Sequence, residues 1–437
     1  MIGFSARILV VAERASAAGD AAARLDAAGF PTVSATGLRA ALAAAEDFAV
    51  DGALIDGAGR TLAEVRELGE ALKRQAAPRA LPVIGVVEAG EAGAGGAGLD
   101  AVLRPPIHPA QLSQRIQSAL RLAIMEEEVA LRLETLQAQG KTLKPAAADD
   151  RPVKVLFVGE AAPFFLRLRN ALEAVGANIT AAFTSYTAFD YLHEADFDAA
   201  VLNGVSGLET MFAICGAMRR NSRLIHVPAA IIAGPSGFER AEEAFARGAS
   251  EMMNKDAEAG EIRQRILELA RERRRRLELR ARVDHARGSG LADRDSGLYN
   301  AEFFTAHLGR MAKRARQHDR PLTLAAVRAV AEREVSPERL AAARNQFGAM
   351  LRHLVRGEDL AARLGPGVFA IAMPATPLPA AQAALARLAG VVECTAFEDD
   401  APKKPFQLHL ETRILDLQPL EGASHLIERA TEVLSAR

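Results

Sequence analysis

The sequence predicts an α/β protein: two doubly wound parallel-sheet domains, then a third α/β domain built around a β-hairpin. Three observations carry this expectation. Short all-apolar runs recur between helical stretches, as in strands buried on both faces of a parallel sheet. The same alternation then repeats in the middle third of the chain. The last third instead holds two strand-like runs joined by Gly365-Pro366-Gly367, a turn that pairs neighbouring strands antiparallel. At 437 residues the chain is long enough for three ordinary domains.

In residues 1–140 strands are expected at Ile8–Val11, Thr32–Ser34, Gly52–Ile55, Val83–Val87 and Ala101–Leu103, with helices between them, the first over Ala17–Ala28. Right-handed βαβ crossovers make such a sheet doubly wound, and its ligands sit at the carboxyl ends of the strands. Those ends carry Ala12-Glu13, Asp56, Val87 and Arg104-Pro105. Ala110–Gln139 reads as one long helix that runs past the domain body, and Gly140–Asp150 as a polar linker.

In residues 151–287 the strands are Val153–Val158, Ala199–Leu202, Ala229–Ile232 and Met252-Met253, ending at Glu160, Asn203, Ala233 and Lys255. Glu261–Arg287 is helical. Its RERRRRLELRAR run could serve nucleic acid or acidic lipid. Interleaved Glu and apolar residues at Ile262, Ile266, Leu269, Leu277 and Leu279 favour a solvated connector helix.

Residues 288–437 open with GSGLADRDSGLYN, followed by a helix over Asn300–Arg316 and a strand over Pro321–Ala326. The hairpin pairs Leu360–Arg363 with Val368–Met373. Just before it stand Arg356 and Asp359, three residues apart. They could be a solvated surface pair of little energetic weight. They could also form a nucleotide site, a guanidinium fork for phosphate or a guanine Hoogsteen edge and a carboxylate for a guanine Watson–Crick edge.

Composition narrows the classes. Formal net charge is −1, so no global basic field points to nucleic acid. Cys215 and Cys394 lie far apart in apolar contexts and read as reduced core residues of a cytoplasmic protein. The histidines show no metal-ligand spacing. No signal-peptide pattern opens the chain, and no apolar run is long enough for membrane insertion.

The motifs carry a family resemblance. Residues 1–140 resemble the receiver domain of response regulators, with Asp56 matching the phosphoacceptor and Glu13 one acid of the metal-binding pair. Ala12 removes the other acid, Val87 stands at the Ser/Thr switch and Arg104 replaces Lys. Mg²⁺ takes several hard oxygen ligands, so an impaired Mg²⁺ site with Glu13 as its remaining ligand is implied. Residues 151–287 resemble a degenerate receiver of the adaptor kind. Asn203 stands at the phosphoacceptor position, and an amide cannot form an acyl phosphate.

Residues 288–437 resemble the GGDEF domain of diguanylate cyclases. Asp293, Gly297, Leu298 and Asn300 match its opening motif, and Gly365-Pro366-Gly367-Val368-Phe369 stands at its signature hairpin. The two signature acids have become Gly367 and Val368, and Arg328-Ala329-Val330 replaces the strand-end Asp that binds metal. Two-metal phosphoryl chemistry needs those carboxylates, so no catalytic residue and no catalytic cofactor is expected. The family's product-binding R-x-x-D survives as Arg356 and Asp359. Arg387 and Arg314 align with its secondary arginines, and the resemblance thus implies cyclic di-GMP as ligand.

The implied fold is therefore two flavodoxin-like (βα)5 receiver domains followed by a GGDEF-type α/β domain, the order of PleD-type regulators. Non-catalytic members imply a cyclic di-GMP effector at a cell pole, a homodimer that helps deliver a cell-cycle transcriptional regulator to a protease through adaptor proteins. The rival classes are a residual cyclase with displaced metal ligands and a nucleotide-independent dimeric scaffold.

Overall fold

The computed structural model describes residues 6–87, 98–105, 107–141, 149–221, 223–287, 291–397 and 405–435. Of the expected linker Gly140–Asp150, residues 142–148 lie outside the described residues, as do 288–290 at the opening of the third segment. The chain divides into two compact units, 6–123 with 147–278, and 124–146 with 279–437.

The first unit contains two five-stranded sheets. The first sheet has strands β1 (Ile8–Ala12), β2 (Thr32–Thr36), β3 (Gly52–Asp56), β4 (Val83–Val86) and β5 (Ala101–Leu103). They lie in the order β2-β1-β3-β4-β5, all parallel. This 2-1-3-4-5 order is that of flavodoxin-like folds. Helices α1 (Ala15–Ala27), α2 (Gly37–Asp47) and α3 (Leu62–Ala76) connect the strands, and α4 (Pro109–Ala138) follows them. Thr61 starts α3 with a capping box, its hydroxyl accepting from Glu64 N while the Glu64 carboxylate accepts from Thr61 N at 2.7 Å.

The second sheet repeats the plan with β6 (Lys154–Val158), β7 (Asn178–Ala182), β8 (Ala199–Asn203), β9 (Ala229–Ala233) and β10 (Glu251–Asn254). Its order, β7-β6-β8-β9-β10, is again 2-1-3-4-5 and parallel. Its helices are α5 (Pro163–Glu173), α6 (Ser185–Glu194), α7 (Leu208–Arg220), α8 (Pro235–Phe238), α9 (Ala241–Ala246) and α10 (Ala259–Arg287). β8 and β9 are buried throughout, which explains their unbroken apolar sequence.

A buried charge hub ties α4 to the second sheet. Glu251 at the start of β10 is 1 % exposed and accepts from Arg115 of α4 at 2.6 Å, and also from Gln111 of α4 and Arg265 of α10. Burial raises its carboxyl pKa, but the Arg265 and Arg115 guanidiniums outweigh this and hold it below the ordinary range. The expectation of a solvated arginine run on α10 is corrected here. Arg273 is 8 % exposed, and Arg274 donates to the buried Asp198 at 2.8 Å. The buried Asp198 draws this face of the helix inward.

The second unit is built on a four-stranded antiparallel sheet. Its elements are α11 (Ala301–Gln317), β11 (Leu322–Ala331), α12 (Pro337–Leu354), β12 (Leu360–Gly365), β13 (Val368–Pro374), α13 (Leu378–Glu393), β14 (Leu408–Asp416) and α14 (Ala423–Ser435). The strand order is β12-β13-β11-β14. Phe303, Phe304, Leu308 and Leu426 fill one apolar core, and Phe347, Phe369, Leu385 and Phe397 another.

Three expectations need adjusting. β11 continues to Ala331 and does not stop at Ala326, because β14 pairs along it from Thr323 to Ala331. The distal part of α4 does not run free: Leu131 and Leu136 belong to the Phe303 core. Cys394 is exposed at the end of α13, whereas Cys215 is buried as expected. Among the described residues no helix is long and apolar enough to cross a membrane.

Candidate functional site

Arg356 and Asp359 lie in the turn that α12 enters and β12 leaves. The last turn of α12 ends at Leu354, and Asp359 Oδ2 accepts from Arg356 N at 3.0 Å, closing the turn. The two residues line a cavity of about 240 Å³ together with Arg387 of α13 and the apolar side chains of Leu354, Ile371, Met373, Leu388 and Val391. Leu354 and Val391 are 43 % exposed, so the cavity opens to solvent along an apolar rim.

The polar groups of this cavity are short of partners. Neither the Arg356 nor the Arg387 guanidinium makes a hydrogen bond or ion pair with a described residue. Asp359 is 8 % exposed, and its Oδ1 is buried with no hydrogen-bond partner among the described residues. Burial, then the neighbouring Glu358 charge, push the Asp359 carboxyl up to about 7, against the opposing pull of Arg356. Two free guanidiniums and one unsatisfied carboxyl oxygen form a site for a ligand with both anionic and donor groups.

A buried network fixes this turn from behind. Arg132 of α4, 1 % exposed, donates to the carbonyls of Glu358 at 3.3 Å and Asp359 at 2.9 Å. Its Nε donates to Glu128 at 3.0 Å. Glu128 also accepts from His307 Nε2 at 2.7 Å, while His307 Nδ1 meets Thr135 Oγ1 at 2.8 Å. The Thr135 hydroxyl proton goes to the Leu131 carbonyl at 2.8 Å, so Oγ1 is left to accept from the imidazole. Burial raises the Glu128 pKa, but the charges of His307 and Arg132 win and hold it below the ordinary range. On the other side of the turn Met125 packs against Gly357 so closely that a Cβ there would collide with it.

Arg314 does not belong to this cavity. It lies on α11, 3.7 Å from Glu134 and 3.4 Å from the Glu127 carbonyl, beside a cavity of about 40 Å³. The distal part of α4 packs on that face of α11 and takes up its arginine. Sequence reasoning missed Arg132, Glu128 and His307. The Glu128–Arg132 spacing of four on one helix face was the available signal.

The hairpin turn is organised differently. Gly367 has φ +77°. The Arg344 guanidinium occupies the place a Cβ would take there, and its Nε donates to the Ala329 carbonyl at 3.0 Å. In the sheet Arg328 lies opposite Val368 on one side and Glu411 on the other, and pairs with Glu411 at 3.0 Å. Burial, then repulsion from Arg328 and Arg363, lower the Arg344 pKa. The place is thus lined by arginine, glycine and valine. Among the described residues no three His, Cys, Asp or Glu side chains come together to hold a metal. The matched opening motif has structural work here. Asp293 accepts from Ser296 N at 2.9 Å, Gly297 takes φ +67°, and Asn300 caps α11 by accepting from Phe303 N at 2.9 Å.

In the first sheet Asp56 ends β3, and its Oδ1 accepts from Ala58 N at 3.1 Å. Glu13, expected as a Mg²⁺ ligand, is exposed and pairs with Arg60 at 3.5 Å. Val87 and Arg104 are buried. In the second sheet Asn203 ends β8 with its Oδ1 accepting from Val205 N at 3.4 Å, the same turn with an amide. Glu160 there accepts from Ser206 at 3.0 Å.

No family model matches this chain, and no curated protein matches it. Solved structures similar to parts of it include the FimX GGDEF domain from Pseudomonas aeruginosa, at 25% identity over 33% of this chain and 90% of that one, TM-score 0.29. The GGDEF domain of DgcB from Caulobacter crescentus in complex with c-di-GMP is 17% identical over 33% of this chain and 86% of that one, TM-score 0.29. The chemotaxis response regulator CheY4 of Vibrio cholerae is 21% identical over 25% of this chain and 90% of that one, TM-score 0.23.

Proposed function

We propose that the chain is a non-catalytic cyclic di-GMP receptor in bacterial signalling. One observation carries the reading: Arg356, Asp359 and Arg387 converge on one cavity with their ligand-facing groups unsatisfied. A guanidinium pairs with phosphate oxygens or stacks on a purine, and a carboxylate accepts from the N1–H and N2–H donors of guanine. The hairpin supports the same reading, since Arg328, Gly367 and Val368 offer no carboxylate for metal. The apolar rim of Leu354 and Val391 suits the face of a base.

Calorimetric titration of cyclic di-GMP into the wild type should give saturable binding, weakened about 10- to 100-fold in Arg356→Ala. Arg314→Ala should bind as the wild type does. No binding to the wild type, or equal binding by Arg356→Ala, sinks the proposal.

Affinity should also depend on pH. Guanine donors need the Asp359 carboxylate, which carries a proton in the free protein below about 7. Binding therefore releases a proton below that value, and affinity rises with pH up to it, by as much as about tenfold per unit. Titrations at pH 6 in buffers of different ionisation enthalpy measure the released proton. The sign for folding is opposite. The raised carboxyl stabilises the folded chain fully below the unfolded value of about 3.9. That contribution is lost as pH rises towards about 7.

Pro366→Gly, Gly367→Asp and Val368→Glu together rebuild the signature hairpin. The triple variant should show no GTP turnover with Mg²⁺ or Mn²⁺, because Arg328 and Arg344 remain in the metal's place. Measurable cyclic di-GMP synthesis by the triple variant would show that Arg328 and Arg344 do not block a metal there, and synthesis by the wild type would establish the residual-cyclase reading.

The wider role rests on resemblance to the non-catalytic regulator PopA. Bound dinucleotide shifts the population of one domain arrangement. That arrangement is recruited to a cell pole and presents a transcriptional regulator to a protease through adaptor proteins. Asp56 would be the phosphoacceptor and the chain a homodimer.

A further inference from the structure

We propose a second ligand site, unconnected with the first: the cleft between α4, the end of α7 and α10 binds a phosphate-bearing small molecule. The cleft encloses about 300 Å³ and is lined by Arg115, Arg121, Arg219, Arg273 and Arg276 against the single carboxylate of Glu272. This volume is at the lower end for small-molecule pockets.

Arg273 is the centre of the case. It is 8 % exposed, and its Nε and Nη1 have no hydrogen-bond partner among the described residues. Its nearest carboxylate, Asp198, stands 3.7 Å from Nη1. Asp198 is already occupied, accepting from Arg151 at 2.8 Å and 3.0 Å, Arg274 at 2.8 Å and Lys154 N at 2.9 Å. One carboxylate thus meets three guanidiniums, and Arg273 has the longest of the three contacts and no hydrogen bond in it. Burial lowers its pKa and outweighs the opposing pull of Asp198, as expected for a buried charge whose ion pair is long and makes no hydrogen bond. Arg115 Nε is also buried without a partner, although its other nitrogens pair with Glu251 at 2.6 Å and Glu272 at 3.3 Å.

The remaining residues shape the site. Arg219 donates to the carbonyls of Gly248, Ile225 and Val227 at 2.8 Å each, and so builds the wall rather than meeting the ligand. Arg276 at the rim pairs with Glu272 at 3.3 Å and keeps its charge near the opening. Donors therefore approach from separate elements. That suits a tetrahedral phosphate, with oxygens on every side, better than a planar carboxylate. Val227, Pro228 and Leu269 give an apolar wall for the organic part of the ligand.

The test is calorimetric titration of inorganic pyrophosphate into the full chain at low salt, with sodium chloride at matched ionic strength in the cell and the syringe. Saturable binding is expected in the wild type and in Arg356→Ala. It should weaken about tenfold or more in both Arg273→Gln and Arg276→Gln. Arg276 is partly exposed, so its variant reads the site even if Arg273→Gln fails to fold. Absence of saturable binding to the wild type overturns the proposal. So does binding that Arg276→Gln retains, or that Arg356→Ala abolishes.

Discussion

Replacing Glu251 by alanine is expected to destabilise the two-sheet unit by about 3–5 kcal/mol. The carboxylate is 1 % exposed and is the shared acceptor of Arg115, Arg265 and Gln111. Its removal leaves Arg115, 6 % exposed, with only the 3.3 Å contact to Glu272. The cost is chiefly that stranded charge and only secondarily the lost attraction. Urea unfolding followed by circular dichroism measures it. Adding Arg115→Met to Glu251→Ala should recover part of the loss, since the orphaned charge then goes too. A loss under about 1 kcal/mol would show that water reaches the hub. The Glu251 carboxyl is held below its ordinary value, so its contribution is present above the unfolded value of about 4.3 and fades as acid protonates it.

The second large effect falls on Glu128. Glu128→Ala should also cost about 3–5 kcal/mol, because it strands the buried Arg132 guanidinium and takes away a hydrogen-bond partner of the buried His307. Arg132 is 1 % exposed and His307 is wholly buried. A purely structural ion pair would stop there. Arg132 also holds the carbonyls of Glu358 and Asp359. Under the receptor reading, Glu128→Ala should therefore weaken cyclic di-GMP binding even in conditions where the variant stays folded. Comparing the unfolding midpoint with the binding constant separates the two effects. Unchanged affinity in the folded variant would show that the turn keeps its shape without Arg132.

The parallel strands were legible because burial on both faces leaves an unbroken apolar signature, as in Ile8–Ala12 and Ala229–Ala233. The edge strand Asn178–Ala182 and the half-exposed Leu408–Asp416 lack that signature and went unrecognised. At the cavity, the proximity of Arg356 and Asp359 was legible because both lie within one turn. Arg132 meets the Asp359 carbonyl across 227 positions and Thr135 meets His307 across 172, and no local pattern records such a contact. Arg314 misled for the same reason. Its helix face is claimed by a segment 187 positions earlier in the chain. The α10 arginines looked solvated because their acids, Asp198 and Glu251, are remote in sequence from most of them.

The Gly367 turn ties the residue at 367 to the residue at 344. A carboxylate at 367 has to adopt a left-handed backbone conformation and displace Arg344, which is anchored on the Ala329 carbonyl. Val368 faces Arg328, which is itself tied to Glu411. An acid at 367 is therefore resisted by a neighbour suited to glycine, whereas an acid at 368 would stand opposite the Arg328 guanidinium. The turn therefore accepts an acid at 367 only together with a change at 344, so the two positions can be exchanged only as a pair.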